Sequence, residues 1–382
     1  MKRETGVRCR ALITAAILMA ADLLVAAQIS VPGVQNTFTY RNFLEKIKNP
    51  LPILADHTDF VEPLRFEIRY LAPPVFKDEG GRLEVRSWRY WYNARGIIEM
   101  VNRLDPRTTA IVNLMAWGVD DGGGFRTPEP AGVVLAGTSE KNALYSRQIA
   151  EIVNPFIRRL SVQVALVGHT LPGLEDPVRK LLYPSISTGR DSLDPPAGKR
   201  KLEEIFTART LRGPAQEESL ELDGNAPLTS YFQKTPSSHA SVRGNGPGFE
   251  EIPVPLANNI FRCPSDIVFY DGEGYEKIRD YLRKKGIRHI LVMGFIEKST
   301  ILPTHPRAGA ESADKTVMDR IGTALSIERL GKDFNIFLVG DAVRTTFPGS
   351  TTPRYAVQAA LARLSGEYMI TQAGWVKAAG GK

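Results

Sequence analysis

Cysteine and histidine are the side chains best suited to nucleophilic or metal chemistry, and this 382-residue sequence has two cysteines and five histidines. Cys9 lies in an amino-terminal segment that we expect to be removed, so Cys263 would stand alone without a disulfide partner. We favour a buried structural thiol over an active-site thiol for Cys263. The histidines show no metal-ligand spacing such as His-Glu-x-x-His, so we predict no metal site and no cofactor.

From Thr109 onward, short apolar strands alternate with helices whose apolar residues recur at helical spacing. The predicted strands are Ala110–Leu114, Val162–Val167, His289–Met293, Ile336–Val339 and Tyr368–Ile370. Four helices are predicted. An apolar stripe from Ile149 to Leu160 marks the first, which Pro155 should kink or restart. The others run from Tyr275 to Leu282, ended by Gly286; from Met318 to Leu325, capped by Gly331; and onward from Pro353. This alternation predicts an α/β fold, a three-layer parallel sheet with helices on both faces, whose ligands bind at the carboxyl ends of the strands.

The regions outside this alternation have their own signatures. Residues 28–105 are predicted to be an accessory β-rich region with a hairpin of Arg65–Tyr70 and Arg82–Trp91. The aromatic residues of the hairpin either pack it onto the main domain, which we favour, or form a sugar-stacking platform. Residues 106–184 and 256–378 would be the two parts of the α/β domain. Residues 185–255, rich in Pro, Gly, Ser and charge, are predicted to be a flexible insertion.

The amino terminus has the pattern of a secretory signal peptide over residues 1–27. Four cations precede the apolar stretch Ala11–Ala21, and the small residues Val25–Ala27 offer a cleavage site. We therefore expect an exported protein, periplasmic or secreted; an uncleaved membrane anchor is the second choice and a cytosolic protein the third. The net charge of +7 comes without a basic tract interleaved with aromatics, so we expect no nucleic-acid partner. A small-molecule ligand or substrate is the expected partner. Membrane contact would occur only through an uncleaved signal segment. The sequence is compatible with a homo-oligomer.

Four blocks of this sequence resemble the isochorismatase-like cysteine hydrolases, in a divergent secreted branch. They are Thr109–Met115, Gly286–Phe295, Phe337–Ala342 and Tyr368–Trp375. Together with their surroundings they cover about half of the chain. The resemblance implies the α/β fold predicted above and a hydrolase of C–N or related bonds. In that family an Asp after the first strand acts as base, a Lys stabilises charge, and a turn Cys attacks the substrate carbonyl.

Carried over residue by residue, the family's catalytic groups are replaced. The Asp falls on Met115, the Lys falls near Arg262 and Cys263, and the Cys falls on Thr300. A thioether cannot accept a proton, and a hydroxyl needs a strong base beside it before it can attack. Further residues that the resemblance implies as substrate contacts or as groups that order the site are Trp117, Gly294, Glu297 and Asp341. We therefore favour a catalytically degenerate domain that binds a small molecule or a partner.

Two alternatives belong to other functional classes. A divergent hydrolase would use Thr300 or Ser299 as nucleophile, His169 or Asp121 as base, and Arg262 to hold the developing oxyanion. His169 is expected just past the strand Val162–Val167, at the carboxyl edge of the sheet, where a capping role is favoured over catalysis. A surface scaffold, whose accessory hairpin and insertion bind a neighbour, is the third possibility, and a large exposed apolar patch on residues 65–92 would support it.

Overall fold

Eleven strands of the described residues form a single sheet. The computed structural model describes residues 44–118, 139–171, 183–186, 200, 204, 255–270, 273–296, 326–345 and 353–378, with side chains from 143 in the second range. The strands are β1 (Glu45–Lys46), β2 (Arg69–Leu71), β3 (Leu83–Trp91), β4 (Gly96–Leu104), β5 (Thr109–Leu114), β6 (Leu166–Leu171), β7 (Ile267–Tyr270), β8 (His289–Phe295), β9 (Asn335–Arg344), β10 (Met369–Thr371) and β11 (Val376–Ala378). The leader segment, nearly all of the predicted insertion, and Asp121, Glu297, Ser299 and Thr300 lie outside the described residues.

The centre of the sheet is parallel and doubly wound. Its six strands lie side by side in the order β7, β6, β5, β8, β9, β10, and all neighbouring pairs are parallel. Numbered along the chain, this order is 3-2-1-4-5-6, which reverses direction between β5 and β8. Every residue of β5 is buried, as expected for a parallel strand covered on both faces. The predicted α/β class is confirmed.

Helices cover both faces of the parallel strands. They are α1 (Ser139–Gln148), α2 (Asn154–Leu160), α3 (Tyr275–Lys284), α4 (Ile327–Asp333) and α5 (Pro353–Leu364). Apolar residues of α2 join one buried cluster with alternate residues of β5 and β8. Those of α3, α4 and α5 join a second cluster with the remaining residues of the same strands. The three-layer arrangement follows from this division, and none of the described helices is long and apolar enough to cross a membrane.

An antiparallel hairpin extends the sheet beyond β10, although its strands differ from those predicted. The second strand of the hairpin is β4, which pairs with all of β3 after the turn at Tyr92–Ala94. The segment expected to be the first strand shrinks to β2, which pairs in parallel with β4. β3 in turn pairs with β10 at Trp88 and Ile370. Trp88 is fully buried in the main core, so packing is its role.

Three further predictions on helix and strand bounds need correction or refinement. The helix restarts at Pro155, in line with the expectation: a π-helical turn over Ile149–Val153 follows α1, and Pro155 lies in the first turn of α2, where a missing N–H is tolerated. Gly331 lies inside α4 and not after its end, and a Cβ there would lie 2.8 Å from the ring of Tyr368; the predicted helix Met318–Leu325 lies outside the described residues. β6 begins at Leu166, not at Val162, which is 85% exposed and lies between α2 and the strand.

Candidate functional site

Ligands of a doubly wound sheet bind where the parallel strands end, and β5 and β8 approach one another closely at that edge. Gly294 has φ +83°, and a Cβ at this position would lie 2.2 Å from the carbonyl oxygen of Leu114. The same Cβ would lie 2.5 Å from the side-chain oxygen of Asn113. Only glycine satisfies both the backbone conformation and the contact. Gly294 therefore shapes the floor of the site.

Met115, the position expected to hold the family's base, is fixed by its main chain. It has φ +50°, a left-handed conformation that is uncommon outside glycine. Its N–H donates to the hydroxyl of Thr170 at 2.7 Å, and its carbonyl oxygen accepts from Nη2 of Arg344 at 2.5 Å. The turn after β5 is thus anchored to β6 on one side and to the end of β9 on the other. A hydroxyl and a guanidinium, but no carboxylate, contact this turn among the described residues.

Arg344 is the cation of this edge, and sequence reasoning missed it. Its side chain reaches across β8 from the end of β9, and the residue is only 7% exposed. The ring of Tyr145 stacks against the guanidinium at 4.8 Å from Cζ. Burial lowers the pKa of Arg344, and the partial negative charge of Tyr145 opposes that shift. The group nevertheless stays charged, because arginine does not deprotonate in proteins.

A shallow depression lies over Arg344. Its lining combines apolar and aromatic side chains with the polar ends of β9, namely Phe60, Leu144, Tyr145, Gln148, Val343, Arg344, Thr345, Pro353 and Val357. The amide of Gln148 donates to the carbonyl oxygens of Asp341 and Val343, at 2.9 Å each, and so ties α1 to β9. The depression is therefore bounded by α1, the end of β9 and the start of α5.

Asp341 lies inside β9, not at its end as predicted, in a stretch where the strand bulges away from β8. Val292 pairs with Leu338 and Gly294 with Val343, so β9 has extra residues at this point. Both carboxylate oxygens of Asp341 accept from the N–H of Ala373, at 2.9 and 3.1 Å. Burial raises the pKa of Asp341 to about 6, against the lowering effects of that hydrogen bond and of His57. These contacts support the expected role of ordering loop backbone.

His169 lies within β6, two residues before its end, and is fully buried, which corrects its predicted place past the strand. Neither ring nitrogen has a hydrogen-bond partner, although Nε2 lies 3.6 Å from Oδ2 of the buried Asp266. In register, His169 pairs with Asn113 of β5. It therefore contributes to the interior of the sheet and does not cap a loop.

Arg262 and Cys263 lie before β7, where the parallel strands begin, so the structure does not bring them to the edge that holds Met115. The Cys263 thiol is 3.7 Å from the hydroxyl of Ser161, the residue that follows α2. Arg262 is exposed and stacks on Tyr183 at 4.6 Å. Trp117, by contrast, follows the Met115 turn and forms a bridge with Leu256. The described residues contain no group of three or more His, Cys, Asp or Glu that could hold a metal ion.

Comparison with known proteins adds three similar solved structures. No protein-family model and no curated protein matches the sequence. A cysteine hydrolase from Pseudomonas syringae pv. phaseolicola 1448A is 13% identical with a TM-score of 0.35, and the match covers 71% of this chain and 91% of that one. An isochorismatase family protein from Burkholderia thailandensis is 15% identical with a TM-score of 0.29, over 72% of this chain and 96% of that one. A nicotinamidase/pyrazinamidase from Acinetobacter baumannii is 10% identical with a TM-score of 0.28, over 71% and 99%.

The strand order, the parallel direction and the two helical layers define the class of this protein as a three-layer, doubly wound α/β protein. This architecture agrees with the isochorismatase-like fold that the four sequence blocks imply.

Proposed function

We propose that the α/β domain binds a small molecule at the carboxyl edge of its sheet and has lost the hydrolytic chemistry of the family it resembles. The environment of Met115 supports this most directly. At the position where the resemblance places a carboxylate base stands a thioether, and its main chain is held by Thr170 and Arg344. A thioether cannot take a proton from a nucleophile at neutral pH. The architecture of a ligand site is thus retained while the proton acceptor is replaced.

The position of His169 disfavours the divergent-hydrolase alternative. β6 and β8 both pair with β5, so the two strands are two spacings apart, about 9.6 Å. A base must lie within about 3 Å of the proton that it removes, or reach it through one water. For a nucleophile in the turn after β8, His169 would have to act across β5. That leaves Asp121 as the candidate base of this alternative.

The scaffold alternative would be supported by a broad apolar surface on residues 65–92. The large apolar side chains exposed there are Ile68, Leu71, Val75 and Tyr92, and only Tyr92 is more than half exposed. Single exposed apolar residues are common on soluble proteins and need no partner. The accessory strands therefore support the small-molecule proposal better than the scaffold.

Hydrolysis of a panel of amides, esters and enol ethers by the purified full chain tests the loss of catalysis. We expect no turnover above the buffer rate for the wild type. The Thr300→Ala variant and a matched control, Thr207→Ala in the predicted insertion, should be equally inactive. Turnover that disappears in Thr300→Ala and persists in Thr207→Ala would establish a rebuilt hydrolase and overturn the proposal. Turnover that persists in both would overturn it as well and place the nucleophile elsewhere.

Export is the second part of the proposal, and the predicted signal peptide supports it. Subcellular fractionation of a bacterial host that expresses the full chain should recover the protein outside the cytoplasm. Mass spectrometry of the intact protein should show a mature chain that begins at Gln28. A protein that stays in the cytoplasm with its first residues intact would contradict export.

A further inference from the structure

Arg344 is a buried cation for which the described part of the chain supplies no carboxylate. Its Nη2 bonds only to the neutral carbonyl oxygen of Met115, and its face is covered by Tyr145. Removing a charge from water costs several kcal/mol unless a counter-ion or a full set of hydrogen bonds offsets that cost. The Nε of the guanidinium is buried and has no hydrogen-bond partner. Within the described residues the cation is therefore left undercompensated.

Thr345 adds a second buried polar atom without a partner beside the first. Its hydroxyl oxygen makes no hydrogen bond, and the residue is 3% exposed. Each unsatisfied buried group costs about 1–3 kcal/mol, so two neighbouring ones are rarely kept without a use. The hydroxyl of Thr345 and the guanidinium of Arg344 are both donors, and both residues line the same depression. An anion bound here would satisfy both.

The surroundings of the two donors suggest what the anion is attached to. Both residues line the depression, whose volume of about 240 Å³ includes space open to solvent. Phe60, Leu144 and Val357 give it an apolar wall, and Pro353 places the start of the twelve-residue helix α5 beside it. The amino-terminal end of a helix favours negative charge. Among the described residues, the lining contains no second arginine and no lysine, so it fits a singly charged group better than a phosphate dianion.

We propose that Arg344 and Thr345 form the recognition site for a small organic molecule that carries one carboxylate on an apolar body. This inference rests on the proposed function, because it names the ligand class of the same edge. The carboxylate oxygens accept from the guanidinium and from the hydroxyl, a charge-assisted arrangement stronger than neutral hydrogen bonds. The apolar body packs against Phe60 and Val357.

Isothermal titration of the full chain with benzoate, phenylacetate and cyclohexanecarboxylate tests the site, with benzamide and inorganic phosphate as matched probes. At least one carboxylate should bind at least about tenfold more tightly than benzamide and phosphate. Arg344→Met should weaken that binding at least about tenfold. Arg354→Gln is the control for charge, because Arg354 is a half-exposed residue of the first turn of α5, paired with Glu62, and should leave the affinity unchanged.

Thr345→Val keeps the test decisive if Arg344→Met does not fold. Valine matches threonine in shape and removes an unsatisfied hydroxyl, so the variant should be at least as stable as the wild type while binding the carboxylate about fivefold more weakly. Equal binding of benzamide and benzoate would overturn the carboxylate site and leave the small-molecule proposal standing. Absence of binding by all three carboxylates, or unchanged affinity in folded Thr345→Val, would overturn the site as well. The hydrolysis panel fails or succeeds independently of these outcomes.

Discussion

At the scale of single residues, Gly294 is the position at the carboxyl edge of the sheet that tolerates substitution least. A Cβ would lie 2.2 Å from the Leu114 carbonyl oxygen and the backbone would keep φ +83°. We expect Gly294→Ala to lower the free energy of unfolding by more than about 3 kcal/mol, because strain and overpacking add. Urea denaturation would measure it. Gly366→Ala is the control: its Cβ would meet only the Arg363 carbonyl oxygen, at 3.7 Å, and should change stability by less than about 0.5 kcal/mol. Equal losses in both variants would contradict this account.

The contribution of Asp341 to the stability of the fold depends on pH. Its folded pKa of about 6 is above the value of about 3.9 expected in the unfolded chain. Between these values the folded state holds a proton that the unfolded state has released. The Asp341 contribution to stability is therefore present at low pH and is lost as the pH rises from about 4 to about 6.

The Asp341→Asn variant should remove this dependence. Its stability relative to the wild type should rise by about 2–3 kcal/mol between pH 4 and about 7, as measured by urea denaturation at each pH. Asp280→Asn serves as control, since Asp280 is exposed on α3 and pairs with Arg279, away from Asp341. A difference between wild type and Asp341→Asn that stays constant over this range would contradict the raised pKa.

The sequence identified part of the candidate site and missed the residues that fix it. Gly294 and Asp341 were found through the resemblance of their sequence blocks to the isochorismatase-like hydrolases. Arg344 was missed because an arginine after an apolar strand looks like an ordinary surface charge. Its burial depends on Tyr145 and Met115, which are far away in sequence. The place of His169 was also wrong, because the Gly and His of β6 interrupt its apolar run.

At the scale of secondary structure elements, Trp88 joins the accessory hairpin to the α/β core. It is fully buried and pairs with Ile370 across the β3–β10 boundary. Trp88→Ala should lower the free energy of unfolding by about 3–5 kcal/mol. Tyr92→Ala, at the exposed tip of the same hairpin, should cost less than about 1 kcal/mol. Chemical denaturation of the two variants would check the contrast, and a small effect of Trp88→Ala would mean that the hairpin is only loosely attached.

Most elements of the parallel core could be predicted because burial on both faces leaves long apolar runs, as in β5 and β8. β4 was not predicted, since the charged residue Glu99, which looks unsuited to a core, interrupts its apolar sequence. In the structure Glu99 is fully buried between Arg69 and Arg86, a charge pairing across three strands that local sequence does not reveal. Pairing partners of this kind are set by tertiary contacts.

At the scale of the whole molecule, the accessory strands and the doubly wound core share one sheet. β3 lies between β4 and β10, and it also pairs with β11 near the end of the described chain. Leu83 and Val85 of β3 belong to the same buried cluster as α2. The boundary near residue 105 drawn from the sequence therefore crosses a continuous sheet. Cutting the chain there would leave β10 as an unpaired edge and expose apolar surface.

A fragment of residues 106–382 should accordingly be insoluble or unfolded, whereas residues 28–382 should fold. The chemical-shift dispersion in nuclear magnetic resonance spectra and the circular dichroism of the two purified chains would measure this. Co-expression of residues 44–105 as a separate chain should restore solubility, because β3 would again cover the β10 edge and bury Trp88. A folded fragment 106–382 with native-like dispersion would show that the core is complete without β3, and the accessory region would then be an appended layer that the core does not need for folding.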